Sequence, residues 1–378
     1  MTAWAADQAT ARDFPVVDRV SASVYEVPTD RPEADGTLAW SKTTLVVAHV
    51  SGGGRTGIGY TYASGACKPL IEGELAAAVA GHGVLDTGAA WQSMVRAVRN
   101  LGRPGLVSCA ISAVDTALWD LKATLLGLPV SRLLGAVRDE VPVYGSGGFT
   151  TYDEPAASAQ LERWTCDLGI PRVKIKIGES WGARPGRDLA RTAFARRVIG
   201  PDVELYVDAN GGYGRKQAVR VARAMAEQDV TWFEEPVSSD DLDGLREVRD
   251  QVTPDVTAGE YGYDLVYFAR MVDAQAVDCL QADVTRCGGI TEWLRVAAVA
   301  ASRNLQISGH CAPNLHAHVA AAVPNLRHLE YFHDHVRIES MLFDGALDPS
   351  GGALRPDPAR PGIGLALKEP DAAPFRVA

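Results

Sequence analysis

Apolar and polar positions follow two different rhythms along this chain. Val16 to Val27 alternates in part, as an antiparallel strand with one covered face does. Thr43–Val50 and Thr56–Tyr60 read as two more strands, joined by the hairpin turn Ser51-Gly52-Gly53-Gly54-Arg55. Helical patterns follow, clearest from Val107 to Leu126, where Gly127 ends the run and Pro129 lies beyond it. Strands followed by helices predict a small α+β domain over residues 15–138, after a flexible tail over 1–14.

From Val141 the apolar runs become short and regular. They are Val141–Ser146, Arg172–Ile177, Glu204–Asp208, Thr231–Glu235, Val256–Glu260, Asp278–Asp283, Leu305–His310 and Arg327–Tyr331, with starts 22 to 32 residues apart. That interval holds one strand, one helix and two short loops, and helical patterns such as Gln217–Gln228 and Thr291–Ser302 fill most of the gaps. Eight such units predict an α/β barrel of the (β/α)₈ type over residues 139–345; an open doubly wound sheet is the alternative. After Met341 the regularity lapses, Pro349–Pro361 is rich in glycine and proline, and residues 346–378 are expected to return to the first domain.

The composition is that of a globular protein with room for a large core: 378 residues, 47% hydrophobic and 22% charged. A net charge of −10 argues against nucleic-acid and anionic-membrane partners, though not against a small anionic substrate. The six cysteines (Cys67, Cys109, Cys166, Cys279, Cys287 and Cys311) fit neither a zinc motif nor a disulfide framework. With no secretory signal and no transmembrane-length stretch, the expected location is the cytoplasm.

Polar residues fall at or near the C-terminal end of every barrel run, where such barrels place their active sites: Ser146, Lys174 with Lys176, Asp208 with Asn210, Glu234, Glu260, Asp283, His310 and Glu330. A lone acid ending a strand is ordinarily a helix cap or a solvated residue; eight consecutive polar strand ends are not. Asp208, Glu234 and Glu260 recur every 26 residues. On neighbouring parallel strands they converge, and three converging carboxylates repel one another unless a cation binds. Lys174 and Lys176 share one face of their strand, so their mutual repulsion is expected to lower the pKa of at least one and make it a candidate base. Asp283 beside His310 would fix the imidazole tautomer and raise its basicity. His316, His318, His333 and His335 read as capping or packing residues, and Cys287 and Cys311 as packing. Gly52-Gly53-Gly54 is not a phosphate loop, because no helix follows it.

These residues resemble the mandelate racemase subgroup of the enolase superfamily over nearly the whole chain. The resemblance is carried by Lys174-Ile175-Lys176, Val207-Asp208-Ala209-Asn210, Phe233-Glu234-Glu235-Pro236, Gly259-Glu260, Asp283, His310 and the helical stretch Ala110–Leu121. It implies a (β/α)₇β barrel with an α+β capping domain, and Mg²⁺ held by Asp208, Glu234 and Glu260. It implies Lys176 as one acid/base and His310, supported by Asp283, as the other. Lys174 would touch the substrate carboxylate, and Glu330 would hydrogen-bond it as charge develops. Loss of the α-proton of a carboxylate would then lead either to dehydration of an acid sugar or, by reprotonation from the other face, to racemisation or epimerisation. A muconate-cycloisomerase-like reading fits less well, because that subgroup carries a lysine where Asp283 stands. An enolase-proper reading lacks its acid/base set, and a non-catalytic scaffold would have lost some of the ligands. Further substrate contacts are expected from Ser146, Asn210 and the cap segments 28–40 and 60–69, with Trp40 and Tyr60 as candidates. Arg286 would meet a distal carboxylate or form a surface salt bridge. The small-molecule partner expected is an acid sugar, and the assembly a homo-oligomer, from dimer to octamer.

Overall fold

The computed structural model describes residues 14–378, and all of the expected tail except Phe14 lies outside them. The first domain opens with a three-stranded antiparallel sheet: β1 (Val17–Ala34), β2 (Ala39–Gly52) and β3 (Arg55–Tyr62). Gly53 and Gly54, both with positive φ, make the tight β2–β3 turn. β1 and β2 run further than their alternation suggested. Pairing resumes after an irregularity between Pro28 and Glu33, so residues 28–40 form a hairpin arm closed at Asp35–Leu38 instead of a loop. The buried helix Leu106–Leu126 lies across the sheet and, as expected, ends at Gly127.

Eight parallel strands form the second domain: β4 (Val141–Gly147), β5 (Arg172–Lys176), β6 (Glu204–Asp208), β7 (Val230–Glu234), β8 (Asp255–Ala258), β9 (Cys279–Ala282), β10 (Gln306–Gly309) and β11 (Leu326–Phe332). β11 pairs with β4, Glu330 opposite Tyr144, and closes the barrel. Seven β/α units precede β11, and a further helix, His333–Leu342, leaves it to pack under the cap. On β5, Lys174 and Lys176 take the inward face, while Val173 and Ile175 join the hydrophobic layer beneath the helices. Tyr144, Tyr206 and Trp232 fill the barrel interior, with Tyr206 stacked on Trp232 at 5.5 Å between ring centroids. Among the described residues no helix is long and apolar enough to cross a membrane.

The C-terminal segment touches both domains. Ala353–Leu354 pairs with the start of β4, and the backbone of Val24 in β1 bonds both Val377 and Ala378. The cap is fastened to the barrel by polar contacts: Thr61 Oγ1 donates to Thr285 O (2.8 Å), Trp91 Nε1 to Gly288 O (2.8 Å) and Thr291 Oγ1 to Asp115 Oδ1 (2.6 Å). Tyr60 OH donates to Glu339 Oε1 at 2.7 Å. Burial pushes the Glu339 carboxyl up to about 7, against the hydrogen bonds it accepts from Asn314, Tyr60 and Tyr62. Folding therefore favours its protonated form, and its contribution to stability falls as pH rises from the ordinary glutamate range toward 7. Glu339→Gln is expected to flatten the decline of Tm between pH 5 and pH 8; an unchanged slope would place the carboxyl's titration elsewhere.

Candidate active site

Glu234 closes β7 and Asp208 closes β6, side by side in register. Glu260 lies two residues beyond β8, because Gly259 turns the chain out of the ladder at φ +134°. A side chain at Gly259 would strike Gln281 O, its Cβ only 2.4 Å away. Asp283 and His310 likewise sit one residue past β9 and β10, not at their ends. The ligand oxygens of Asp208, Glu234 and Glu260 lie within 4.8 Å of one another, all three residues buried. Glu260 Oε2 has no hydrogen-bond partner among the described residues. Burial pushes the Glu234 carboxyl upward, and Asp208, Glu330 and Glu260 push it further against the pull of Lys174. An all-oxygen, buried, electrostatically frustrated set with an orphaned oxygen fits a hard divalent cation.

Both lysines face these acids. Lys176 Nζ lies 2.5 Å from Asp208 Oδ2; Lys174 Nζ lies 2.5 Å from Glu234 Oε1 and 2.8 Å from Glu330 Oε1. Repulsion within the pair was expected to lower a lysine pKa. The reverse holds: burial pulls each down, but Glu234, Glu330 and Asp208 outweigh it at Lys174, and Asp208 does so at Lys176, leaving both raised. The expectation counted charges on one strand, whereas the deciding partners come from its neighbours.

His310 Nδ1 pairs with Asp283 Oδ2 at 2.8 Å, which leaves Nε2 on the cavity side, 3.2 Å from Cys311 Sγ and 3.3 Å from Glu260 Oε2. Burial would raise the Asp283 carboxyl, but His310 and Arg286 hold it below the carboxylate range. Glu330 Oε1 accepts from Ser146 Oγ at 2.6 Å and Oε2 from Cys311 N at 3.2 Å. Burial is outweighed there by Lys174, so Glu330 stays an acceptor and can donate to a ligand only after taking up a proton.

A cavity of about 330 Å³ opens above these groups. From the barrel, Lys176, Asn210, Glu260, Arg286, His310 and Glu330 line it; from the cap come Asp35, Trp40, Thr44 and Tyr62. Trp40 is held by Glu33 (Nε1 to Oε2, 2.8 Å). Arg286 is no surface salt bridge: its guanidinium spans Glu260 (3.5 Å) and Asp283 (3.4 Å) within the cavity wall. Lys174 and Ser146, both wholly buried, lie outside the lining, among the groups that hold Glu330. Tyr60 is also wholly buried, stacked on Phe343 and bonded to Glu339, so the expected substrate contact is corrected. Two positions on, Tyr62 stacks on His335 and reaches the cavity instead. His316 and His318 pack as expected: His316 Nε2 accepts from Val284 N (3.0 Å), and His318 Nε2 lies 3.0 Å from Ile363 O.

Asp35, Glu235 and Cys311 were given no chemical role from the sequence. Asp35 lies in the hairpin arm, accepting from Thr37 N (2.6 Å) and Leu38 N (2.7 Å). Glu235 follows Glu234 with φ +38° and is buried with Oε1 unpartnered among the described residues; the Glu-Glu-Pro doublet was its only signal. Cys311, expected to be packing, lines the cavity beside His310.

Comparison with known proteins shows the family. Residues 19–135 match the model of the mandelate racemase/muconate lactonizing enzyme N-terminal domain, and residues 156–372 that of the enolase C-terminal domain-like family. The chain is 29% identical over 366 residues to L-talarate/galactarate dehydratase of Salmonella typhimurium, covering 93% of this chain and 89% of that one. Its curated relatives include other acid-sugar dehydratases. Among solved structures it is similar to a mandelate racemase/muconate lactonizing enzyme-like protein from Rubrobacter xylanophilus (TM-score 0.92, 50% identity, 96% of this chain and 100% of that one). It is also similar to a racemase from Streptomyces coelicolor A3(2) with bound magnesium (TM-score 0.90, 29% identity, 96% and 100%). Cap and barrel each carry the signature of one lineage, and the chain belongs to the mandelate racemase/muconate lactonizing enzyme family of the enolase superfamily.

Proposed function

We propose that this protein is a Mg²⁺-dependent enzyme that removes the proton α to a carboxylate, and that it dehydrates an acid sugar to a 2-keto-3-deoxy acid. The observation that supports this is the meeting of Lys176, at the end of β5, and His310, one residue past β10, in one cavity lined also by Glu260, one of three convergent carboxylates. The curated relatives named as acid-sugar dehydratases support the choice of reaction and substrate class.

Asp208, Glu234 and Glu260 would hold Mg²⁺, which when bound neutralises part of the substrate's carboxylate charge and so acidifies the neighbouring C–H. Lys176 must shed a proton before it can act as a base, and its partner Asp208 opposes that shedding until the carboxylate's charge is engaged elsewhere. His310 presents Nε2 to the cavity, beside the Cys311 thiol, since Nδ1 is committed to Asp283. The imidazole can therefore take a proton, or return one to a departing β-hydroxyl. Lys174, fixed under the acids, supplies positive charge near the cavity floor and keeps Glu330 in place. Asn210, Arg286, Trp40 and Tyr62 would orient the sugar chain.

The test is a panel of mono- and dicarboxylic acid sugars incubated with Mg²⁺. Appearance of a 2-keto acid from at least one is expected, and none from any would remove the dehydratase reading. The racemase reading rests on the placement of the two acid/base groups on separate strands and on the Streptomyces structure. Solvent deuterium entering Cα without formation of a keto acid would favour it.

A further inference from the structure

His310, Cys311 and Glu330 place a nitrogen, a sulfur and an oxygen within 4.8 Å of one another, all buried, at the edge of the cavity. The separations are 3.2 Å from His310 Nε2 to Cys311 Sγ, 3.4 Å from Sγ to Glu330 Oε2 and 3.7 Å from Nε2 to Oε2. Tetrahedral zinc bonded to nitrogen, sulfur and oxygen at its ordinary bond lengths needs edges of about 3.6, 3.6 and 3.4 Å. The triangle needs adjustments of only a few tenths of an ångström to close on such an ion.

We infer that His310, Cys311 and Glu330 form a second metal site, selective for a thiophilic divalent cation such as Zn²⁺ and distinct from the all-oxygen site of the three acids. Several features fit it. Asp283 binds the far nitrogen of His310, the partner that metal-bound imidazoles ordinarily have, and this leaves Nε2 facing the Cys311 thiol (3.2 Å), Glu260 (3.3 Å) and Glu330 (3.7 Å). The backbone takes left-handed conformations at Cys311 (φ +52°) and Ala312 (φ +37°), a strained bend at the point where the thiol meets the cavity. All three residues line the same cavity, which leaves the fourth coordination position open to water. A hard cation gains little from sulfur, so Mg²⁺ has no reason to leave the carboxylates for this site. Binding exchanges the thiol proton for the metal: Cys311–SH plus M²⁺ gives a thiolate–metal bond and a released proton.

The consequence for catalysis rests on His310 serving as an acid/base: a soft cation on Nε2 removes it from proton transfer and makes the site inhibitory. The spectroscopic test does not depend on that reading. Co²⁺ is added to the Cys166→Ala protein, which lacks the exposed thiol, with Mg²⁺ saturating. One equivalent is expected to give a thiolate-to-cobalt charge-transfer band. The band should vanish in a Cys311→Ser variant of that protein, and His310→Asn should weaken Co²⁺ affinity by at least about tenfold. The second variant keeps the test decisive if the first does not fold. Absence of the band, or its persistence without Cys311, would overturn the site. A band accompanied by undiminished turnover on a substrate found by the panel would instead overturn the role of His310 and leave the metal site standing.

Discussion

His310→Asn is expected to lower turnover by about 10²–10⁴-fold on any acid sugar that the enzyme proves to dehydrate. Asparagine cannot take or return a proton at neutral pH. The Asp283 carboxylate would remain, still paired with Arg286 at 3.4 Å, so the loss should lie in the chemical step more than in folding. Lys176→Ala should cost a similar factor, because it removes the other proposed proton carrier together with the ammonium that sits on Asp208. The two variants separate the two faces of proton transfer when Cα exchange is followed with each substrate epimer. If His310 serves one face, His310→Asn abolishes exchange in one epimer and spares the other, and Lys176→Ala does the converse. Full turnover in both variants would mean that the cavity has been assigned the wrong chemistry.

Chelation of Mg²⁺ should abolish turnover and also lower Tm. At about a hundred times its Kd, a ligand specific to the folded state stabilises by about 2.7 kcal/mol. Here the gain has a visible origin, since the orphaned Glu260 oxygen and the upward-pushed Glu234 carboxyl mark repulsion that a cation relieves. Glu260→Gln should remove most of the Mg²⁺-dependent rise while leaving the metal-free protein folded. A Tm that ignores Mg²⁺, or one that rises equally in the variant, would show that the three acids do not hold the ion.

Much of this site was legible because a strand has a period of two and a β/α unit a nearly constant length. Those regularities place Lys174 with Lys176, and Asp208 beside Glu234, without knowledge of any tertiary contact. They place Glu260, Asp283 and His310 only approximately, since each lies beyond its strand where the backbone has already turned. The charge state of the lysines was not legible, for it depends on carboxylates delivered by β6, β7 and β11. Tyr60 and Tyr62 share a face in the sequence pattern and both donate to Glu339; they differ in that Tyr60 stacks on the buried Phe343 and Tyr62 on His335, which lines the cavity. Cys311 gave no periodic signal, because a left-handed backbone outside any strand or helix puts it there.

The hairpin arm of residues 28–40 brings Asp35 and Trp40 to the cavity, while every candidate proton carrier comes from the barrel. Its ties to the barrel are His333 to Asp30, Arg337 to Pro28 O, Thr151 to Pro32 O, Thr150 to Ala34 O and Asp35 O, and Trp181 N to Gly36 O. Because the arm supplies cavity-lining groups but neither candidate proton carrier, we expect it to behave as an exchangeable module. Chimeras that graft it between relatives could alter which sugar is accepted while inheriting the reaction intact, and lineages could diversify by the same route.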